Sequence, residues 1–201
     1  KKALKMDVVT KIERLTRENA VMFSNIYKET MAQVKADQYY FFDDDYFFNL
    51  LENLQDRILL ITAYQDNKAI GSSIYTICKE SGIMQFHLGG TLNAYTHLQP
   101  SKLITHVARD WGRTNHYKLL HLGGGVGSNL DSLYEYKKGF SSQELLFKTY
   151  RLVVNPAKYA ALVADSWFTE NDLRSDFFPL YRKEPTKETI LETEQAEALA
   201  D

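Results

Sequence analysis

Residues 118–155 have the sequence KLLHLGGGVGSNLDSLYEYKKGFSSQELLFKTYRLVVN, and this stretch decides which folds the chain can adopt. Its apolar start at 119–122 predicts a short buried strand. A glycine cluster follows, and the next pair, Ser128 and Asn129, is of a type that caps helices. We expect that helix to end near Lys138 and Gly139, where a cation and a glycine are both favoured. Residues 147–154 alternate as a further strand would.

Glycines between a strand and a helix expose backbone N–H groups at the start of the helix. Such groups bind an anion, or the oxyanion of a reaction intermediate. The motif alone fits several families, so the rest of the chain has to select among them.

The composition indicates one core-forming domain. Of 201 residues, 44% are apolar and 13% aromatic, which is ample for one substantial core. The net charge of −2 argues against nucleic-acid binding through a broad basic patch. The single cysteine, Cys78, excludes an intrachain disulfide framework and a cysteine-rich metal site. No apolar run reaches the roughly 18 residues of a membrane span and no signal peptide is recognisable, so we expect a cytoplasmic location.

The N-terminal half predicts two helices followed by an antiparallel meander. Residues 1–11 are expected to be a linker or a frayed start, and apolar spacings of three and four over 12–34 predict an amphipathic helix. Asp43, Asp44 and Asp45 are interpreted as the cap and first turn of a second helix at 46–54, in preference to a metal site. Three strands with tight connections are predicted at 57–64, 69–78 and 83–88.

The C-terminal half predicts alternating helices and strands. Apolar spacing predicts a helix at 101–115 with Ser101 as its cap. The opening stretch then supplies strand, loop, helix and strand, and a short helix is expected at 159–167. Residues 184–201 are interpreted as a charged tail.

Two nucleotide-binding interpretations of the glycine loop fail. A dinucleotide fingerprint accepts Gly123 and Gly125 but finds Ser128 where its third glycine belongs. The spacing of Gly123, Gly125 and Gly127 also resembles the loop of S-adenosylmethionine-dependent methyltransferases. That loop follows the first strand of its fold, whereas too little chain follows the loop here to build the rest of such a sheet.

The whole order of elements resembles the GNAT acyltransferase fold, in which a mixed, largely antiparallel sheet is flanked by helices. Several segments further resemble the FemAB-like branch of that superfamily. They are F-x-x-I-Y-x-x-T-M at 23–31, YYFF at 39–42, FHLGGT at 86–91, LHLGGG at 120–125, SLYEYKKGFS at 132–141 and FFP-x-YR at 177–182. The resemblance predicts a single GNAT-like domain over residues 12–183.

The resemblance implies an N-acyltransferase that moves an acyl or aminoacyl group onto an amine, including amines of cell-wall precursors. Acyl-CoA and aminoacyl-tRNA are both implied as donors, with a tRNA 3′ end and a second GNAT-like domain as potential partners. Residues 90–103 lack the Gln/Arg-x-x-Gly-x-Gly/Ala loop with which ordinary GNAT enzymes hold coenzyme A. A non-catalytic module that binds a ligand or a partner domain is therefore the alternative, and no metal is expected.

The candidate catalytic residues follow partly from the resemblance and partly from position. The aromatic-lysine pair tied to donor binding and catalysis in FemAB-like enzymes matches Tyr136 and Lys137. His87 and His121 each end a strand before a glycine cluster and are predicted to line the acyl site, although a structural role is open for both. Lys137 has a helix-terminal interpretation as well.

The candidate substrate-binding residues are those whose backbone or ring would border the same cleft. This prediction comprises Gly89, Gly90, Thr91, Gly123, Gly124, Gly125 and Tyr40.

Overall fold

The computed structural model describes residues 2–164 and 177–183 of the chain. The chain divides into two compact units, Lys1–Gln143 and Glu144–Asp201. The first unit contains a mixed five-stranded sheet with helices on both faces, which confirms the predicted fold class. Within the described ranges, no helix is both long and apolar enough to cross a membrane.

The sheet of the first unit has the strand order β1-β2-β3-β4-β5. Its strands are antiparallel except for the last pair, β4 and β5, which are parallel. The strands are β1 (Val9–Arg14), β2 (Ile58–Gln65), β3 (Lys68–Cys78), β4 (Ile83–Thr91) and β5 (Leu119–His121). The helices are α1 (Lys2–Lys5), α2 (Arg17–Gln33), α3 (Asp44–Leu54), α4 (Pro100–Thr114) and α5 (Ser132–Lys138).

Strand β2, between β1 and β3, is buried on both faces, because the run Ile-Leu-Leu-Ile-Thr-Ala alternates between two hydrophobic clusters. Ile58 and Leu60 pack with residues of α2 and α3, including Phe23 and Phe47. Leu59, Ile61 and Ala63 pack on the opposite face with residues of α4, including Leu103, Ile104 and Ala108. The sheet therefore separates an α2/α3 layer from an α4 layer, and the predicted meander is confirmed as its centre.

The acidic run at 43–45 begins α3, as predicted. The carboxylate of Asp43 accepts a hydrogen bond from the Tyr46 N–H at 2.9 Å and so caps the helix. Asp44 ties α3 to α2, since its Oδ1 lies 2.6 Å from Ser24 Oγ and 3.0 Å from Lys28 Nζ. These bonds, first from Ser24 and then from Lys28, lower the pKa of the Asp44 carboxyl.

The N-terminal prediction was partly wrong. The predicted helix at 12–34 begins only at Arg17, and Val9–Arg14 form an edge strand that includes part of the expected linker. Ile12 fits a helical spacing, but it pairs with Ile61 of β2, a partner remote in sequence. The capping box of Thr16 and Asn19 then starts α2.

Two predicted helix starts were also displaced. Ser101 does not cap α4; Pro100 occupies the first turn, and Gln99 precedes it in the left-handed region with no side-chain cap. Ser128 and Asn129 do not cap α5 either. Asp131 does so, with Oδ1 accepting a bond from the Tyr134 N–H at 2.8 Å.

In the second unit, the strand predicted at 147–154 is absent from the described residues, where 143–153 have no regular secondary structure. Leu146, Phe147, Tyr150 and Val154 are each more than 80% exposed. An alternating pattern supplies only a tendency, and a strand forms only where a ladder partner is present.

Helix α6 (Pro156–Ala164) lies where a helix was predicted at 159–167. The last residues of that prediction, and the tail predicted at 184–201, lie outside the described ranges. Asn155 Oδ1 caps α6 by accepting a bond from the Lys158 N–H at 2.9 Å. Tyr159 on this helix stacks on Phe178, with ring centroids 6.0 Å apart, and its hydroxyl accepts a bond from the Leu180 N–H at 2.9 Å.

Candidate functional site

Strand β4 contains a β-bulge at His87. Leu88 pairs with Ile74 and Phe86 pairs with Tyr75, so His87 is an extra residue that has no partner on β3. The bulge reverses the alternation of the strand: Phe86 packs with the α4 layer, whereas Leu88 packs with the α2/α3 layer. His87 therefore stands at the position where β4 changes faces.

Beside this bulge, β4 and β5 part. The two strands pair only from Ile83 with Leu119 to Gln85 with His121, and β4 continues to Thr91. Past Gln85, the edge of β4 that faces β5 has no ladder partner among the described residues. Phe86 and His87 border this gap, one on each face of the sheet.

On the α2/α3 face, His87 forms a pair with Tyr46 of α3. The phenol oxygen of Tyr46 lies 2.8 Å from Nε2 of His87, and the two rings are nearly parallel with centroids 6.2 Å apart. Phe42 stacks on the Tyr46 ring, with the two ring centroids 4.1 Å apart. Burial lowers the pKa of His87, which favours the neutral imidazole that a general base requires.

The glycine loop, residues 123–127, is closed by a carboxylate. Asp131 Oδ2 accepts a bond from the Val126 N–H at 2.9 Å, while its other oxygen caps α5. A side chain on Gly125 would collide with Asn129 and Asp131, and Gly123 and Gly127 have positive φ angles of 75° and 57°. These three positions require glycine for the shape of the loop.

Lys137 joins the loop to the opposite face of β4. Its ammonium donates to the Gly124 carbonyl oxygen at 2.7 Å and lies 5.5 Å from the centre of the Phe86 ring. Burial lowers the pKa of Lys137, and the nearby Asp131 carboxylate opposes the change. The structure thus brings Lys137, Gly123 and Gly124 together, with the ammonium of Lys137 near the gap, and their roles at a site stay predictions.

The second member of the aromatic-lysine pair has a buried hydroxyl. Tyr136 Oη has no hydrogen-bond partner among the described residues, and its ring meets Phe140 edge-on at 5.3 Å. Burial raises the pKa of Tyr75 on β3; the Thr105 hydroxyl opposes that rise, and Tyr136 adds to it. Tyr75 in turn contacts Phe86 edge-on at 5.7 Å. A phenol, an ammonium and an aromatic ring are therefore gathered on the α4 face of the gap.

Gly89, Gly90 and Thr91 lie at the end of β4 against α2 and β3. A Cβ on Gly90 would lie 2.9 Å from the Ile26 carbonyl oxygen, and one on Gly89 would lie 2.7 Å from Ser73 Oγ. Thr30 of α2 accepts a bond from the Thr91 N–H at 2.8 Å. Close packing against neighbouring elements explains these two glycines, and their binding to a substrate stays a prediction.

Two other candidates lie apart from these groups. His121 is exposed at the end of β5, and it makes no hydrogen bond, ion pair or ring contact with another candidate in the part of the chain that the structure describes. Tyr40 is half-buried in the 3-10 helix Gln38–Tyr40 and contacts Tyr39 edge-on at 5.3 Å. It belongs to the aromatic cluster that also contains Phe42 and Tyr46.

The segment between β4 and α4 contains the 3-10 helix Asn93–Leu98. Asn93 N–H donates to Glu29 Oε1 at 2.7 Å, which holds the start of this turn on α2. The turn has no glycine after Gly90, so it does not form the glycine-rich cradle that a pyrophosphate needs. The open glycine in this chain is Gly124, where an added Cβ would meet nothing within 4 Å.

Sequence reasoning missed Tyr46, Phe86 and Tyr75 as parts of the site. Tyr46 lies in the helix predicted at 46–54, Tyr75 in the strand predicted at 69–78 and Phe86 in the segment FHLGGT. Only the bulge and the packing of α3 on the sheet show which ring reaches which group. A histidine directly before Leu-Gly-Gly in a predicted strand was the available signal for an irregular β4.

Neither a protein-family model nor a curated protein sequence matches the chain. Solved structures do match it. An aminoglycoside acetyltransferase from an uncultured soil metagenomic sample, in complex with sisomicin, aligns with a TM-score of 0.52 and 13% identity, over 73% of this chain and 97% of that one. The ribosomal-protein-alanine N-acetyltransferase of Brucella melitensis aligns with a TM-score of 0.52 and 15% identity, over 72% and 99%.

A third structure, AAC(6')-Iy in complex with the bisubstrate analog CoA-S-monomethyl-acetylneamine, aligns with a TM-score of 0.51 and 13% identity, over 72% of this chain and 99% of that one. At identities this low, the structural alignments establish a shared fold and nothing finer. The chain therefore has the GNAT fold, as the sequence resemblance predicted, and the FemAB-like branch stays a prediction.

Proposed function

We propose that the chain is an N-acyltransferase that transfers an acyl or aminoacyl group to an amine. The observation that carries the proposal is the gap between β4 and β5, bordered on one face by the Tyr46–His87 pair and on the other by Lys137, Phe86 and Tyr136. The GNAT fold supports it, because the three fold neighbours described above are acetyltransferases. The FemAB-like resemblance extends it to amines of cell-wall precursors.

The chemistry needs a base, a group that stabilises the oxyanion and a proton donor for the leaving group. His87 is the proposed base: it takes the proton from the amine as nitrogen attacks the acyl carbon. Lys137 is the proposed oxyanion partner, since a half-buried ammonium next to developing negative charge is only weakly screened. The Tyr136 hydroxyl is the proposed donor to the departing thiolate or ribose oxygen. His121, exposed at the end of β5, is kept as a weaker candidate.

Two acyl donors remain within this proposal. An acyl-CoA is supported by the fold neighbour that holds a CoA bisubstrate analogue. An aminoacyl-tRNA is supported by the Tyr136–Lys137 motif, and its terminal nucleotide would supply a base for stacking. Both donors occur in the cytoplasm, which agrees with the expected location. In either case the backbones of Gly123, Gly124, Gly125, Gly89, Gly90 and Thr91 and the ring of Tyr40 are the proposed substrate contacts.

A transfer assay with both donors tests the function. The chain is incubated with acetyl-CoA and a panel of primary amines while free thiol is measured, and in parallel with charged tRNA and the same amines. Amine-dependent thiol release establishes the acyl-CoA reaction, and amine-dependent loss of the aminoacyl ester establishes the aminoacyl reaction. If neither occurs in either arm, the enzyme proposal is wrong.

One observation favours a second candidate, a non-catalytic GNAT-like module that binds a ligand or a partner domain. The turn Asn93–Leu98 stands where ordinary GNAT enzymes hold the coenzyme, and it lacks their glycines. Calorimetric titration with acetyl-CoA addresses this point. This candidate predicts two results: no transfer from tRNA, and no binding of acetyl-CoA at concentrations up to about 1 mM. A Kd of about 1 mM corresponds to a binding free energy of roughly −4 kcal/mol.

A further inference from the structure

We propose that Tyr46 is the positioning residue of His87, and that its phenol oxygen accepts the Nε2–H bond so that Nδ1 is the basic atom. This inference rests on the proposed function for its kinetic consequence but not for its structural test.

The geometry of the pair is fixed from three directions. Asp43 caps α3 by binding the Tyr46 N–H at 2.9 Å, which sets the start of the helix. Phe42 stacks on the Tyr46 ring at 4.1 Å, and Phe47 meets that ring edge-on at 5.3 Å. A ring enclosed in this way has little rotational freedom, so its hydroxyl stays 2.8 Å from His87 Nε2.

Because His87 is the extra residue of the bulge, the orientation of its side chain depends on a partner such as Tyr46. An extra residue in a strand is not held by a cross-strand neighbour, and its side chain is aimed by whatever it contacts. Tyr46 provides the only hydrogen bond to the His87 ring among the described residues. Without it, no hydrogen bond from the described residues would set the orientation of the imidazole.

The choice of tautomer follows from what a base must do. A neutral imidazole has one N–H donor and one lone-pair acceptor. If the phenol donated to Nε2, Nδ1 would carry the proton, and no lone pair would remain for the amine. If Nε2–H donates to the phenol oxygen, Nδ1 keeps its lone pair; it accepts the amine proton, and the Nε2–H bond persists in the imidazolium.

The charged and titratable groups around the pair are few among the described residues. Burial and the phenol of Tyr39, in the 3-10 helix before α3, raise the pKa of Tyr46, while burial and Tyr46 raise the pKa of Tyr27 on α2. Among the described residues, no carboxylate or ammonium forms an ion pair with His87, and burial lowers its pKa. Lys137, the cation of the candidate site, contacts Phe86 on the opposite face of the sheet.

Tyr46→Phe is the test, because it removes the oxygen and keeps the ring that stacks on Phe42. The readout is the ¹⁵N spectrum of the imidazole nitrogens of His87 across a pH titration, which requires no substrate. In the native chain we expect the Nε2–H tautomer. In Tyr46→Phe we expect a lower pKa of His87, since an acceptor that stabilised the imidazolium is gone.

The opposite arrangement gives opposite results. A native Nδ1–H tautomer, or a pKa of His87 that rises in Tyr46→Phe, would mean that the phenol donates to the ring, and the proposal would fail. Tyr27→Phe is the matched control: it removes a buried phenol from the same aromatic cluster without touching His87 and should leave its titration unchanged. If Tyr46→Phe does not fold, the native tautomer alone decides the question.

Kinetics connect the pair to the reaction. We expect kcat/KM of Tyr46→Phe to fall about tenfold, less than the roughly 10²- to 10⁴-fold that a general base contributes, because the base itself is still present. We expect the acid limb of its pH profile to move to lower pH with the titration. A fall in kcat/KM with an unmoved acid limb would contradict positioning and indicate a structural role. An inactive native chain would overturn the proposed function, while the titration would still decide the pair.

Discussion

The ammonium nitrogen of Lys137 lies 5.5 Å from the centre of the Phe86 ring. This contact joins helix α5 to the strand that carries the bulge, and the bond from Lys137 to the Gly124 carbonyl adds the glycine loop to the same point. A cation held over an aromatic face in a partly desolvated place is attracted to the ring by up to about 2 kcal/mol. The position of this charge therefore depends on both neighbours.

Lys137→Met is expected to reduce acyl transfer at least tenfold while leaving the fold intact. Methionine keeps an apolar stem over Phe86 but removes the charge and the bond to the Gly124 carbonyl oxygen. Loss of the proposed oxyanion contact is the larger effect, since removing such a donor costs about 2.7 to 4 kcal/mol in enzymes. The measurement is kcat/KM beside a thermal melt. Lys138→Met, which alters the next residue of the same helix, serves as the control; equal activities of the two variants would remove Lys137 from the mechanism.

The stability of the chain should depend on pH through His87. Burial lowers the pKa of His87 in the folded chain, whereas the unfolded chain has the ordinary value of about 6.5. As the pH falls below about 6.5, the unfolded state binds a proton that the folded state binds less well, so the free energy of unfolding decreases. Urea unfolding between about pH 7 and pH 5 should show a smaller decrease for His87→Gln than for the native chain.

His121→Gln is the matched variant for that measurement, because it replaces an exposed histidine by the same residue. The difference between the two variants then isolates the effect of burying an imidazole. Identical slopes in the native chain and His87→Gln would show that burial of His87 has no effect on its protonation.

Gly90→Ala is expected to destabilise the chain by about 1 to 3 kcal/mol, the usual cost of overpacking. The added Cβ would lie 2.9 Å from the Ile26 carbonyl oxygen and 3.0 Å from the Tyr27 Cα, and backbone atoms cannot move aside cheaply. Gly124→Ala is the matched variant, since its Cβ would meet nothing within 4 Å, and its unfolding free energy should stay within about 0.5 kcal/mol. Two equally stable variants would mean that α2 does not approach β4 as closely as described.

Thr30→Val should destabilise the chain by removing a hydrogen bond between α2 and the end of β4. The Thr30 hydroxyl accepts a bond from the Thr91 N–H at 2.8 Å and lies 3.0 Å from the Ile26 carbonyl oxygen. Valine has the same shape but leaves the Thr91 N–H without its partner, a loss of about 1 to 3 kcal/mol. Chemical denaturation measures this loss. Thr114→Val, at an exposed position where the hydroxyl donates to the Asp110 carbonyl of the same helix, should cost far less.

The meander and α3 could be predicted from the sequence because their signals are local. Turn residues separate three apolar runs between Ile58 and Thr91, and Asp43 is a strong cap directly before an amphipathic segment. The neighbourhood of Lys137 and the glycine loop was likewise predictable, since the two are adjacent in the chain and one short helix links them.

What escaped prediction depends on partners that are remote in sequence. Ile12 was assigned to a helix because its strand partner, Ile61, is distant, and residues 147–154 were assigned to a strand although none of the described residues pairs with them. The Tyr46–His87 pair needs both the bulge and the docking of α3. No periodicity in the sequence encodes either.

The bulge at His87 can be removed without changing the faces that the rest of β4 presents. Because Phe86 already pairs with Tyr75 and Leu88 with Ile74, deleting His87 would leave a regular ladder in which both residues keep their partners and their faces. Leu88 would stay in the α2/α3 layer, and Gly90 would stay beneath α2, where only glycine fits. The bulge is thus a one-residue insertion that presents a single side chain beside the gap while the packing of the strand on either side is preserved.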